Sequence, residues 1–130
     1  MDYEGLRALC LSMPGAFEDF PFGPESAVYK VRGRADGPAK MFALLMQGNE
    51  GTRINLKCEP VLAEQLRAAH PEITPGYHMS KKHWNTVSAN GDLDRGMIHD
   101  LVQDSWDLVV DSLPVPERTA LGWKRLAGRG

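Results

Sequence analysis

The chain has 130 residues, 42% of them hydrophobic and 25% charged, with a formal net charge of −2. That length fits one domain with a single core that needs no staples, and the mild acidity argues against avid, non-specific nucleic-acid binding. The longest apolar run, residues 41–46, falls far short of the roughly 18 residues of a membrane span, and two cysteines, Cys10 and Cys58, make neither a disulfide framework nor a zinc site.

Residues 2–13 read as an amphipathic helix: Asp2 caps it, and Leu6, Leu9, Cys10 and Met13 recur at spacings of three and four. Its acids stand where a signal peptide has a basic leader, so the expected compartment is the cytoplasm. Residues 16–25, AFEDFPFGPE, mix aromatics with Pro and Gly too closely for a regular element. Phe17, Phe20 and Phe22 are expected to fold back over the core edge. Residues 26–34 alternate, with Ala27, Tyr29 and Val31 on one side and Lys30, Arg32 and Arg34 on the other, the pattern of a half-buried antiparallel strand. After a turn at 35–38, KMFALLM is apolar on both faces and reads as a central strand. Residues 52–57 alternate again, Ile54 and Leu56 inward, Arg53, Asn55 and Lys57 outward.

A second helix starts at Glu59-Pro60 and stops at His70-Pro71. Residues 74–93, TPGYHMSKKHWNTVSANGDL, lie between the turn pairs Pro75-Gly76 and Asn90-Gly91. They hold Tyr77, His78, Lys81, Lys82, His83, Trp84 and Asn85 within nine residues, a density that suits a binding loop better than a core. Residues 83–89 read as a further strand. Asp94 caps the last helix, with Ile98, Leu101, Val102, Ser105, Leu108 and Val109 as its buried stripe and Asp100, Asp104, Asp107 and Asp111 opposite. The expected domain is residues 1–113, followed by a basic C-terminal tail at 114–130 with a short helix around 121–126. The order of elements predicts an α+β fold: an antiparallel sheet with about three helices on one face, the other face at least partly open.

Charge is segregated along the chain. Residues 26–58 carry six cations against two acids, and residues 92–113 carry six aspartates against one arginine. Alternation collects Lys30, Arg32, Arg34, Arg53 and Lys57 on the outward side of the sheet. The nearest acids, Asp36 and Glu50, sit in turns, so these five are not all expected to find partners, and crowded like charges repel. A polyanion would relieve that repulsion. Cations neutralise phosphates and aromatics pack on bases, so the expected function is non-enzymatic nucleic-acid binding. The candidate contacts are Lys30, Arg32, Arg34, Arg53, Lys57, Tyr77, His78, Lys81, Lys82, His83, Trp84 and Asn85. DNA is the expected partner, with RNA open, and the protein a monomer or weak dimer. The alternative is a small-molecule or protein-binding module using the loop at 77–84.

No catalytic residues are predicted: Ser80, Ser88 and the cysteines lack a nucleophile-elbow setting, and the glycines lack phosphate-loop spacing. No cofactor or metal is expected either, because His70, His78, His83 and His99 have no ligand spacing. The aspartate row could collect a hard cation only weakly.

Four segments, PFGP at 21–24, KMFALL at 40–45, NLKCEP at 55–60 and above all TPGYHMSKKHWNTV at 74–87, resemble the MmcQ/YjbR family over about residues 3–112. The resemblance implies a CyaY-like α+β fold and a "double-wing" DNA-binding role by analogy of fold. Frataxin-like relatives of that fold bind iron through acidic residues, which leaves weak iron binding by the last helix as a lesser alternative. The family supplies no catalytic residues, and residues 35–39 lengthen the first hairpin relative to its pattern.

Overall fold

The computed structural model describes residues 1–123, in which the elements are α1 (Tyr3–Ser12), β1 (Ala16–Asp19), β2 (Ser26–Val31), β3 (Lys40–Gly48), β4 (Gly51–Lys57), α2 (Pro60–Ala69), β5 (Ile73–Pro75), β6 (Trp84–Ser88), α3 (Arg95–Asp111) and α4 (Val115–Ala120). The strands form one antiparallel sheet in the order β1-β2-β3-β4-β6-β5. The fold is the α+β arrangement that the sequence predicts, with α1 and α3 packed on one face. No described helix is long and apolar enough to cross a membrane.

Local chemistry starts and stops these elements as expected in several places. The Asp2 carboxylate accepts the Gly5 N–H at 2.8 Å and caps α1. Pro60 opens α2, where its missing N–H costs nothing. Asp94 occupies the cap position of α3, but its side chain makes no capping bond. The core joins Leu6 and Cys10 of α1 to Ala27, Tyr29 and Val31, to Ile54 and Leu56, and to Ile98, Val102 and Val109 of α3. The inward half of each alternation is therefore where the period of two puts it.

Strand β3 departs from simple alternation. Tyr29 pairs with Ala43 but Lys30 pairs with Met41, so Phe42 is the extra residue of a bulge, and Phe42 and Ala43 both face the core. The β3–β4 ladder stops at Ala43↔Leu56, which leaves the next carbonyl and N–H facing a gap. Ser105 fills it from α3: its hydroxyl donates to the Phe42 carbonyl at 2.6 Å and accepts the Lys57 N–H at 2.8 Å.

Four expectations are corrected. Residues 16–19 form an edge strand, with Glu18 turned inward to accept from Arg7 at 2.9 Å and from the Tyr29 hydroxyl at 2.7 Å. Phe20 and Phe22 do not fold over the core but stay exposed. In α3, Trp106 is buried, its indole N–H donating to the Pro14 carbonyl at 3.0 Å, whereas Leu108 is only half-buried. The residues after Leu113 pack on the domain: the helix lies at Val115–Ala120, not near 121–126, and residues 124–126 fall outside the described chain. Glu117 of α4 is 0% exposed and accepts from Arg34 in the first hairpin at 2.6 Å. Gly33 admits this contact, since a Cβ there would collide with the Glu117 carbonyl oxygen.

Candidate ligand site on the open sheet face

Paired residues of neighbouring antiparallel strands share a face, so the register builds the surface opposite the helices row by row. The central row runs Asp19–Val28–Leu44–Asn55–Thr86–Thr74. Beside it lies Ser26–Met46–Arg53–Ser88, and on the other side Phe17–Lys30–Met41. Val28, Leu44 and Met46 form a second buried apolar cluster with Met41 against it, although no helix covers them. Loops cover them instead and leave a cleft of about 410 Å³. Met41, Leu44 and Met46 make its floor, Phe22 and Ser26 one wall, and Tyr77, His78 and Met79 the other. A separate hollow between α2 and α3 has room for about 10 Å³, no more than one water.

The second wall is braced from several directions. Asn55 donates to the Tyr77 carbonyl at 2.9 Å and accepts from the Thr86 hydroxyl at 2.5 Å, while Thr86 Oγ1 accepts the Tyr77 N–H at 2.8 Å. This closed set fastens the loop to β4 and β6. Arg67 of α2 donates to the Lys81 carbonyl at 2.8 Å, and Lys81 Nζ donates to the Gly76 carbonyl at 3.1 Å. Gly76 lies so close to β6 that a Cβ would meet the Trp84 Cβ at 2.8 Å. His78 follows in the left-handed region at φ +58°, a conformation that a non-glycine residue adopts at some cost. Its ring sits 4.0 Å from that of Tyr77, and the Arg53 guanidinium lies 5.0 Å from the Tyr77 centroid.

The predicted basic surface is largely spent within the molecule. Lys30 pairs with Asp19 at 3.0 Å, Arg53 with Glu50 at 2.9 Å and Arg34 with Glu117 at 2.6 Å. Arg32 stacks over Phe17 at 4.4 Å. The pairing Lys30 holds the Asp19 carboxyl below its ordinary range, helped by the Phe20 N–H. Lys57 and Lys82 make no ion pair with a described residue, and Lys81, Lys82 and His83 are exposed. Asn85 does not share the open face: it is buried toward the helices, donating to the Ala63 carbonyl at 3.4 Å and accepting from Arg67 at 3.2 Å.

The titratable groups away from the cleft are structural. Burial pushes the Cys10 thiol up to about 12, and the Glu18 charge adds to the effect. Burial also raises Cys58. Neither is a thiolate at neutral pH. The Arg7 hydrogen bond, assisted by Tyr29, draws the Glu18 carboxyl below the usual range, and burial raises the Tyr29 phenol. Among the described residues, no three His, Cys, Asp or Glu side chains converge. On α3, Asp107 accepts from the Trp123 indole at 3.2 Å, and Asp111 lies 3.8 Å from Arg118, so the C-terminal segment leans on the acidic face.

An open-faced antiparallel sheet, helices behind and a loop-walled cleft in front, defines the class of the protein. Its sequence matches the YjbR family over residues 11–108, and the chain belongs to that family. It is 38% identical to YbdF of Escherichia coli O157:H7 over 111 residues, covering 85% of this chain and 86% of that one. With YjbR of Escherichia coli strain K12 the identity is 31% over 121 residues, covering 93% and 98%. The crystal structure of a Deinococcus radiodurans protein superposes with a TM-score of 0.85 at 36% identity, covering 99% of this chain and 94% of the other. A Pseudomonas syringae protein gives 0.70 at 34% identity, covering 83% and 98%. Membership accounts for the fold, and the function rests on the site itself.

Of the residues that line the cleft, the sequence singles out only Tyr77 and His78; Phe22, Ser26 and Met79 were not among the candidates, and neither was the floor, Met41, Leu44 and Met46. The signal was present: KMFALLM is apolar on both faces, while helices cover one face of the sheet. A second apolar row must then lie on the uncovered side.

Proposed function

We propose that the protein is a non-covalent binding module that lodges a small molecule in the cleft on its open sheet face. One observation carries this reading: the middle of that face is concave and apolar, and the cations beside it are already paired. A cleft of about 410 Å³ is of the size that binds small ligands. Thioethers adapt to irregular shapes, which suits a floor with Met41 and Met46 and a wall with Met79. The bracing by Asn55, Thr86 and Arg67 holds that wall in place before any ligand arrives, which lowers the ordering cost of binding. Methyl NMR of the methionines tests the reading against a panel of neutral fragments, saturated and aromatic. Met41, Met46 and Met79 should shift together on titration while Met1, Met13 and Met97 stay still. Shifts that are absent, or spread evenly over all the methionines, would defeat it.

One observation favours a second reading, nucleic-acid binding. Lys57 lies opposite Trp84 across β4 and β6, and the exposed turn of Lys81, Lys82 and His83 leads directly into that strand. Cations around an indole suit a phosphate backbone with a base or sugar against the ring. Duplex titrations at several salt concentrations decide it. Changing Lys57 and Lys82 to Ala should flatten the salt slope by about 0.9 for each phosphate that is no longer neutralised.

A further inference from the structure

The cleft has a chemistry narrower than "apolar". Its walls carry the rings of Phe22 on one side and of Tyr77 and His78 on the other, with methionine sulfurs in the floor and beside them. Among the described residues, no lysine, arginine, aspartate or glutamate lines it. The polar atoms among its lining side chains are the Ser26 hydroxyl in one wall and the Tyr77 hydroxyl and His78 imidazole in the other. Phe22 is 72% exposed and Tyr77 47%, although large aromatic side chains are among those that gain most by burial. His78 keeps its imidazole in this wall at φ +58°, a backbone that glycine would hold without strain.

We infer that the ligand is an uncharged planar aromatic compound with a hydrogen-bonding group on its rim. The inference rests on the cleft reading above. A flat ring gains from both walls and from the thioethers, since ring–ring and sulfur–ring contacts add to the area term, whereas a saturated body of equal size gains the area term alone. A full charge would enter a lining without lysine, arginine, aspartate or glutamate, and Arg53 behind the Tyr77 ring is already paired with Glu50, so the compound is neutral. The imidazole and the two hydroxyls read its rim and fix its orientation.

The test compares 2-naphthol with its saturated counterpart decahydro-2-naphthol, by methionine-methyl NMR titration on the whole chain. The naphthol should bind roughly tenfold more tightly, the difference expected of one or two good aromatic contacts. Two variants keep the experiment independent of folding, since Phe22 is exposed and glycine fits the backbone at position 78. Phe22→Ala and His78→Gly should each weaken naphthol binding about threefold to tenfold, on the scale of one ring contact or one hydrogen bond. Phe22→Ala should weaken decahydronaphthol binding less than naphthol binding, because the saturated body loses only the area term, while His78→Gly should take the same rim hydrogen bond from both. Equal affinity for the two probes at Met41, Met46 and Met79 would overturn the aromatic inference and leave the cleft reading standing. Naphthol affinity unchanged in both variants would overturn it as well. Failure of both probes to move those methyls would overturn the cleft reading itself.

Discussion

Asn55→Leu tests whether the polar set under the loop positions the cleft wall. Leucine branches at the same atom as asparagine but is the larger side chain, so the substitution removes two hydrogen bonds without opening a cavity and must find room for its methyl groups. One bond goes to the Tyr77 carbonyl at 2.9 Å and one comes from the Thr86 hydroxyl at 2.5 Å. Thr86 is 2% exposed, so its proton is left without an acceptor away from water, at a cost of about 1–3 kcal/mol. Tyr77 is at the surface, and its carbonyl can turn to water for less than about 1 kcal/mol. Burying the leucine at this 0% exposed position returns part of this, again on the order of 1 kcal/mol. The net loss comes to about 1–3 kcal/mol, or roughly 4–12 °C in Tm for a domain of this length. Urea unfolding measures the stability, and the Met79 methyl resonance reports the wall. The expected pair of results is a lower midpoint with an unchanged slope and a displaced, broadened Met79 signal. A stability within about 0.5 kcal/mol of the parent, with Met79 unmoved, would refute the reasoning.

Ser105→Ala should cost about 2–4 kcal/mol in urea unfolding, because it leaves the Phe42 carbonyl and the Lys57 N–H facing each other across the bulge with nothing between them. Ser112→Ala, at the C-cap of α3, removes a hydroxyl that donates to the Val109 carbonyl and accepts only from the exposed Lys40 ammonium at 3.2 Å; it should cost under about 1 kcal/mol and serves as the control. The third prediction concerns acid. Glu18 has its folded pKa depressed by Arg7 and Tyr29, so its contribution is complete above the unfolded carboxylate pKa and disappears as pH falls through the folded one. Glu18→Gln should therefore be less stable than the parent at pH 7, and the gap should close below the ordinary carboxylate range. A gap that persists unchanged in strong acid would show that packing, not charge, makes the difference.

Most of the fold was legible because its strongest signals are local. The alternations at 26–31 and 52–57, the proline that opens α2, and the stripe of α3 all lie where pattern and chemistry agree. The elements that escaped are short. β1 has four residues and β5 three, and β1 adjoins a segment dense in Pro and Gly. In such strands, pairing to a neighbour supplies the order and the residues' own preferences supply little. The loop at 77–84 stood out by its composition alone, and Tyr77, His78 and Met79 from it wall the cleft. What composition could not supply was the direction of each side chain. Asn85 points to the helices because it stands opposite Leu56, while Trp84 and Thr86 beside it take the other face.

Arg32 and Lys57 meet no described acid, as the sequence predicts, but the pairing of Lys30, Arg34 and Arg53 was not legible, largely because of those same short elements. Alternation placed Lys30 and Arg53 on the open face correctly, but the acids that meet the cations arrive on other parts of the chain. Asp19 reaches Lys30 because β1 pairs with β2, and Glu117 reaches Arg34 because α4 folds back on the first hairpin. In each case a carboxylate on an overlooked element, Asp19 on β1 and Glu117 on α4, pairs with one of the predicted cations. Glu50 pairs with a third across the β3–β4 turn, where three residues of separation bring it 2.9 Å from Arg53. Net charge on a face is thus a sum over all elements, and it fails when one is missed. The apolar row needs less: one strand apolar on both sides and helices on a single side of the sheet suffice. For that reason the apolar cleft, and not the charge, carries the proposed function.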